Sequence, residues 1–99
     1  MTEEQNDAEG VKTAKHDEFA QKFYIPLDDD EAVLGYTHVN DILDVHTIFA
    51  PAGQEQLEQD LIKAVFDYAH KHRLKIIPTD EKIAVFAREN GYEDMLTSI

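Results

Sequence analysis

The sequence predicts an α+β (α/β) domain with a mostly antiparallel sheet, one parallel strand–helix–strand crossover and two main helices. Segments rich in Val, Ile, Thr, Tyr and Phe follow one another before residue 51, as in strands joined by hairpins. Apolar residues then recur at three- and four-residue steps from Gln54 to His72, as on one face of a helix. The short apolar run Leu74–Ile77 follows and returns the chain to the sheet as a parallel strand.

The net charge and the length limit the classes of protein to which this chain can belong. It has 99 residues, with 21 acids against 9 lysines and arginines, and a formal net charge of −12. A chain of that length holds one small core. The excess of acid excludes nucleic-acid binding, which depends on neutralising phosphates with Lys and Arg, and it equally opposes docking on an anionic membrane. The absence of cysteine excludes disulfides, a thiol nucleophile and cysteine-based metal sites.

The N-terminal segment is expected to stay outside the core. Residues 1–10 are polar and acidic with almost nothing apolar to bury, so we expect a mobile tail followed by a single domain at 11–99. The same start lacks the basic and apolar regions of a signal peptide, and no apolar run approaches the ~20 residues of a membrane helix. The expected protein is therefore cytoplasmic and soluble, a monomer or weak dimer, with no membrane partner.

Short strands are predicted at the start of the domain. Val11–Lys15 suits an edge strand. The apolar run Phe23–Ile25 suits a second strand that ends at Pro26, because proline donates no hydrogen bond to a sheet. The four consecutive acids of Asp28–Glu31 repel one another and favour turns, so they predict an exposed hairpin tip. They lack the spacing and the central glycine of a calcium-binding loop.

Two longer strands, Ala32–Val39 and Ile42–Ala50, are predicted to form a hairpin around Asn40-Asp41. Strict alternation defines the faces of the second strand. One face then holds Leu43, Val45, Thr47 and Phe49, and the other holds Asp44, His46 and Ile48. Because both faces carry apolar residues, we expect the sheet to be covered on both sides.

Two helices complete the predicted fold. The first, from about Gln54 to His72, ends in basic residues, where cations favour the helix dipole. Its apolar stripe consists of Leu57, Leu61, Ala64, Val65, Tyr68 and Ala69. Thr79 is predicted to cap the second helix, with Asp80 and Glu81 in its first turn and Gly91 after its last residue. The last apolar residues, Tyr92 to Leu96, predict a short closing helix or strand.

The order and spacing of several phrases resemble a known family. The phrases are Lys22-Phe23-Tyr24-Ile25, Ala32-Val33-Leu34-Gly35-Tyr36, Val45-His46-Thr47, residues 61–69, Leu74-Lys75-Ile76-Ile77-Pro78-Thr79 and residues 91–96. Together they resemble the GNAT superfamily of N-acetyltransferases, and above all its very small members of about a hundred residues. The resemblance covers about Lys22–Leu96 and implies the GNAT fold.

The resemblance also implies acetyl-CoA as co-substrate, bound in a splay between two strands. The strand before the long helix would pair its backbone with the pantetheine arm, and that strand corresponds here to Ile48, Phe49 and Ala50. A loop whose N–H groups bind the pyrophosphate would correspond to Gly53, Gln54, Glu55, Gln56 and Leu57. Gln54 and Gln56 stand where the family carries glycines, and Asp80 stands where a cysteine commonly follows.

His46 is the candidate catalytic residue, because it lies in the His-Thr phrase beside the implied cofactor strand. Asp44, two residues earlier on the same strand face, could tune its imidazole as a general base. A second interpretation is a structural histidine that hydrogen bonds within the sheet. A metal site of Asp44 and His46 with His38 is disfavoured because His38 points to the opposite face, so no metal is predicted.

Three functions remain open on the sequence. The first is N-acetyl transfer from acetyl-CoA to an amine, where the acidic surface would favour a cationic acceptor. The second is a non-catalytic interaction or regulatory module that has lost acyl-CoA binding. The third is an acidic decoy or metal buffer built on Asp28–Glu31. The loop Gly53–Leu57 discriminates between the first two.

Overall fold

Five strands form one mixed sheet in the computed structural model of the chain, which describes residues 14–98. The strands are β1 (Lys15–Asp17), β2 (Lys22–Pro26), β3 (Glu31–Val39), β4 (Ile42–Phe49) and β5 (Lys75–Pro78). They lie in sequence order across the sheet. The first four are antiparallel neighbours, and β5 pairs in parallel with β4. The predicted mixed sheet with one parallel crossover is confirmed.

Two helices follow the meander. Helix α1 (Gln56–His72) connects β4 to β5, and helix α2 (Glu81–Asn90) follows β5. A short 3-10 turn (Glu93–Met95) closes the described chain and brings Leu96 into a parallel bridge with Ile76. The predicted helices and closing turn are therefore present.

One face of the sheet carries the core. The fully buried strand residues alternate with half-exposed ones, and the register places them on the same face as the helices. They are Ile25, Ala32, Leu34, Leu43, Val45 and Ile76. The expectation that the sheet is covered on both sides is wrong for residues 14–98. The opposite face bears the half-buried Tyr24 and Val33 and the exposed Phe49.

The core lies between the sheet and both helices. The buried residues of α1 are Leu57, Leu61, Ile62, Val65, Phe66 and Ala69. The predicted stripe omitted Ile62 and Phe66. The buried face of α1 is wider than that stripe because a second helix packs beside it. Here α2 supplies that contact, since the rings of Phe66 and Phe86 stack with centroids 5.8 Å apart. Tyr92 stacks on Phe66 at 5.1 Å and so belongs to the rim of the core.

A β-bulge interrupts the pairing of β3 with β4. Gly35 pairs with Thr47, whereas the next residue, Tyr36, pairs with Val45, so His46 is the additional residue on β4. A bulged residue and its successor point to the same side of a sheet. The bulge therefore turns Ile48 to the core face and Phe49 to the open face, which corrects the faces predicted from strict alternation.

The turns match the local sequence. Asn40 adopts a left-handed φ of 56° in the β3–β4 hairpin, and Gly91 one of 82° after α2. The acidic segment before Glu31 forms the exposed β2–β3 turn, as predicted. The first strand, Lys15–Asp17, shares only Lys15 with the predicted edge strand Val11–Lys15, and residues 1–13, which include the predicted tail, lie outside the described residues.

Strand β1 is fixed to the sheet by an aromatic cluster. The His16 ring stacks on Phe23 with centroids 4.0 Å apart and meets Tyr68 of α1 edge-on at 4.6 Å. Its Nε2 lies 2.6 Å from the hydroxyl of Tyr36. Burial raises the pKa of Tyr36 to about 12 and lowers that of His16.

Within residues 14–98, no helix is both long enough and apolar enough to cross a membrane.

Candidate functional site

A cleft of about 310 Å³ opens where β4 runs on beyond the end of β5. Its lining comes from one strand and from the first turn of the second helix. The lining residues are Val45, His46, Thr47, Ile48, Thr79, Asp80 and Ile83. The two walls are separated in sequence by α1 and β5, so the fold rather than the local sequence brings them together.

The cleft exists because the two parallel strands separate. β5 pairs with β4 only from Ile42 to Val45, where its partner is Pro78. Proline has no N–H to continue the ladder, and the chain then leaves the sheet to enter α2. Within the described part of the chain, β4 from His46 to Phe49 therefore has a strand partner on the β3 side alone. Its other edge presents backbone N–H and C=O groups to the cleft.

The bulge places the predicted catalytic residue, His46, in the cleft lining. His46 Nδ1 lies 2.9 Å from Thr47 Oγ1. This bond, and not one to Asp44, is the hydrogen bond that holds the ring. The hydroxyl can act as donor or acceptor, so either tautomer of the ring can make this bond. No partner of Nε2 is found among residues 14–98.

Gly35 makes room for this arrangement. A Cβ atom at Gly35 would lie 3.3 Å from Thr47 Cβ and 3.4 Å from His46 Cε1. Such distances are tighter than ordinary van der Waals contact between carbon atoms. The glycine therefore lets the bulged histidine and its threonine partner lie flat against β3.

Asp80 forms the opposite wall of the cleft. Its backbone is extended (φ −109°, ψ 137°), and its Oδ1 accepts a hydrogen bond of 2.8 Å from Lys82 N. Asp80 is thus the N-cap of α2, and the prediction of Thr79 as the cap is wrong by one residue. Both are good capping types, and the extended backbone at Asp80 decides between them. The half-buried carboxylate puts a negative charge beside the cleft.

The predicted cofactor-binding residues are only partly brought together. Ile48 lines the cleft, whereas Phe49 is 45% exposed on the open face and Ala50 follows the end of β4. The loop predicted for the pyrophosphate, Gly53–Leu57, leads into α1 and is not part of the cleft lining. Gly53 has the positive φ, 84°, that suits a tight loop.

Three of the five N–H groups of this loop are hydrogen bonded within the chain, whereas those of Glu55 and Gln56 have no partner among residues 14–98. Gly53 N donates to Glu55 Oε2 at 3.3 Å, and Gln54 N donates to Pro51 O at 2.9 Å. Leu57 N and Glu58 N donate to the carbonyls of Gln54 and Glu55 at 2.9 and 3.0 Å. A side-chain carboxylate and neighbouring carbonyls thus occupy part of the set of N–H groups that an external anion would need.

An ion pair between the two helices was not predicted from the sequence. Lys82 Nζ lies 3.1 Å from Glu58 Oε1, and the Glu58 side chain is only 14% exposed. Hydrogen bonding to Glu58, above all, raises the pKa of Lys82, and the negative charges of Asp80 and Glu55 act in the same direction. Nothing in the local sequence indicates this pair, because the partners lie on different helices.

Within residues 14–98 no group of three or more His, Asp or Glu side chains is placed to hold a metal ion. The fold and the cleft define an α+β domain with a cleft at the open end of a parallel strand pair. No known family model matches this chain, and no curated protein matches it.

Proposed function

We propose that the chain is a GNAT-like N-acyltransferase whose cleft binds an acyl-pantetheine thioester and transfers the acyl group to an amine. The observation that carries the proposal is the free edge of β4 from His46 to Phe49, beside a cleft of about 310 Å³. A pantetheine arm contains two amides, which can pair with such an edge as a short strand would. The resemblance in strand order and phrases supports the same assignment.

The chemistry uses few protein groups. The amine nitrogen attacks the thioester carbonyl carbon, and the negative charge that develops on the oxygen is stabilised by a backbone N–H of β4. The carbon–sulfur bond then breaks. The amine loses a proton, and the departing sulfur gains one.

His46 is the group proposed to carry that proton, through Nε2 or a water molecule. Its bond to Thr47 Oγ1 fixes the ring in the cleft lining. Asp80, on the facing wall, favours the approach of a cationic amine. An acceptor that is protonated in solution must lose a proton before it attacks, so a base within the cleft is required.

The first test is a titration of the isotope-labelled protein with S-acetylpantetheine, followed through backbone amide shifts. Saturable shifts at Val45–Ile48 and at Asp80 are expected. Release of free thiol in the presence of a diamine would then measure transfer. His46→Gln should lower kcat about 10²-fold or more with little change in KM, as for the loss of a general base. His70→Gln, at an exposed position on α1, is the matched control. Unchanged shifts at millimolar thioester would refute the proposal.

One observation favours a second candidate, a non-catalytic interaction module. The loop before α1 uses most of its own N–H groups internally, including the bond from Gly53 N to the Glu55 carboxylate. A module that has lost acyl-CoA binding would keep the free β4 edge and could add an extended, lysine-rich peptide to it. A peptide of alternating Lys and Val would then shift the resonances of His46–Phe49 while acyl thioesters would not.

A further inference from the structure

We infer that the cleft selects donors by charge and prefers a pantetheine thioester with little or no phosphate to acetyl-CoA. The inference rests on the proposed function and names the class of donor for that same cleft. It concerns the end of the donor that leaves the cleft past Ile48, where β4 leads into the N-terminal turn of α1.

The first argument is that three of the five loop N–H groups that could form an anion cradle are already hydrogen bonded within the chain. The N-terminus of a helix binds phosphate when its free N–H groups point at the ligand. Here Gly53 N is bonded to the Glu55 carboxylate at 3.3 Å, and Gln54 N to a carbonyl at 2.9 Å. Leu57 N is also bonded within the loop, at 2.9 Å. A phosphate has only Glu55 N and Gln56 N without a partner in this loop, and to use the others it would have to displace these bonds, including one to a group of its own charge.

The second argument is the charge around Lys82, which lies between the first turns of the two helices. Lys82 is paired with Glu58 at 3.1 Å, and Glu55 and Asp80 both act on it electrostatically. Three carboxylates therefore surround one ammonium group, and the local balance is negative. A diphosphate beside them would be repelled, and the repulsion would weaken with added salt.

The third argument is the contrast with the cleft itself. Apart from Asp80 and His46, its lining has no ionisable side chain, with Val45, Thr47 and Ile48 on one wall. An uncharged arm with two amides suits this lining. The cleft thus suits the uncharged pantetheine arm of coenzyme A, whereas the region at its exit repels the phosphates.

The experiment compares three acetyl thioesters of increasing negative charge: S-acetylpantetheine, S-acetyl-4′-phosphopantetheine and acetyl-CoA. Binding is followed through the amide shifts of Val45–Ile48. Affinity is expected to fall along the series. Raising NaCl from 20 to 300 mM should strengthen the binding of acetyl-CoA about threefold or more and leave that of S-acetylpantetheine unchanged.

A charge-removing variant locates the cause. Glu55→Gln, at an exposed position, should raise the affinity for acetyl-CoA about three- to tenfold without affecting S-acetylpantetheine. Glu89→Gln, exposed near the other end of α2, is the matched control and should change neither. The same affinity for acetyl-CoA in wild type and Glu55→Gln would overturn the role of Glu55.

The outcomes separate the two proposals. If acetyl-CoA binds most tightly and salt weakens it, the charge selection is wrong and the acyltransferase proposal stands. If none of the three thioesters shifts Val45–Ile48, the acyltransferase proposal itself fails. If affinity falls from S-acetylpantetheine to acetyl-CoA and added salt strengthens the binding of acetyl-CoA, both proposals are supported.

Discussion

Lys82 Nζ lies 3.1 Å from Glu58 Oε1, so one ion pair joins the first turns of the two helices. The carboxylate is largely buried, at 14% exposure, whereas the ammonium group is 52% exposed. Removing the lysine would leave a partly desolvated carboxylate near those of Glu55 and Asp80. Loss of one partner of such a pair costs more than the pair contributes, because the remaining charge has no compensation.

Lys82→Met is therefore expected to lower the melting temperature more than Lys63→Met does. Lys63 forms an i,i+4 pair with Asp67 in which the side chains are 65% and 52% exposed, and such pairs contribute little. Thermal unfolding at 20 and 500 mM NaCl measures the difference, which should narrow in high salt. Equal melting temperatures for the two variants would contradict the helix-bridging role of the ion pair.

The N-cap of α2 gives a second prediction. Because the Asp80 carboxylate accepts a hydrogen bond from Lys82 N at 2.8 Å, Asp80→Ala should destabilise the protein by about 1 kcal/mol. Thr79→Ala should cost less than about 0.5 kcal/mol, as expected for a residue outside the cap. Urea unfolding of both variants checks this. A greater loss for Thr79→Ala would restore the cap predicted from the sequence.

Gly35 gives a third prediction. Its added Cβ would meet Thr47 Cβ at 3.3 Å and His46 Cε1 at 3.4 Å. Gly35→Ala should therefore destabilise the protein by about 1 kcal/mol, the overpacking cost exceeding the entropy that alanine removes from the unfolded chain. The imidazole resonances of His46 should shift at the same time. A more stable variant with unmoved His46 resonances would show that the close approach has no effect.

His16 makes stability depend on pH. Burial, above all, lowers its pKa below 6.5, although Glu18 and Asp17 oppose the shift, and His72 adds to the lowering. The unfolded chain then binds a proton at a higher pH than the folded chain does. The stabilisation is complete above about pH 6.5 and is lost as the pH falls through the folded pKa.

Free energies of unfolding at pH 7.5, 6.5 and 5.5 test this dependence. The wild type is expected to lose stability between pH 6.5 and 5.5. His16→Phe, which keeps the aromatic contact with Phe23, should lose less over the same range. His70→Gln, at an exposed position of α1, should behave as the wild type does. The same pH dependence in His16→Phe would assign the effect to another group.

The sequence was a good guide to the elements because each has a local cause. The hairpin at Asn40, the C-terminal glycine of α2 and the helix that ends at His72 were all predicted from residue types and spacing. The coarse fold follows from them, since a strand after a helix after a strand returns in parallel. These features depend on residues that are close in the sequence, so local patterns are enough to predict them.

The errors come from contacts that local patterns do not record. A bulge is invisible to strict alternation, so Ile48 and Phe49 were assigned to the wrong faces. The cap is Asp80 and not Thr79 because Asp80 has the extended backbone and its carboxylate accepts the hydrogen bond from Lys82 N. The pair Glu58–Lys82 depends on how two helices pack. The resemblance implied both the cleft and the position of Asp80 beside it, whereas residue types and spacing alone indicated neither.

The separation of β4 from β5 has a thermodynamic consequence. One wall of the cleft belongs to the β3–β4 hairpin and the other to the segment that follows the crossover, and the two meet only when the whole chain is folded. Any occupant that touches Thr47 and Asp80 together binds the native state and not the unfolded one. Its binding energy therefore adds to the stability of the entire domain, by about 2.7 kcal/mol at a concentration of 100 Kd. The melting temperature of this protein is thus itself an assay for its ligand.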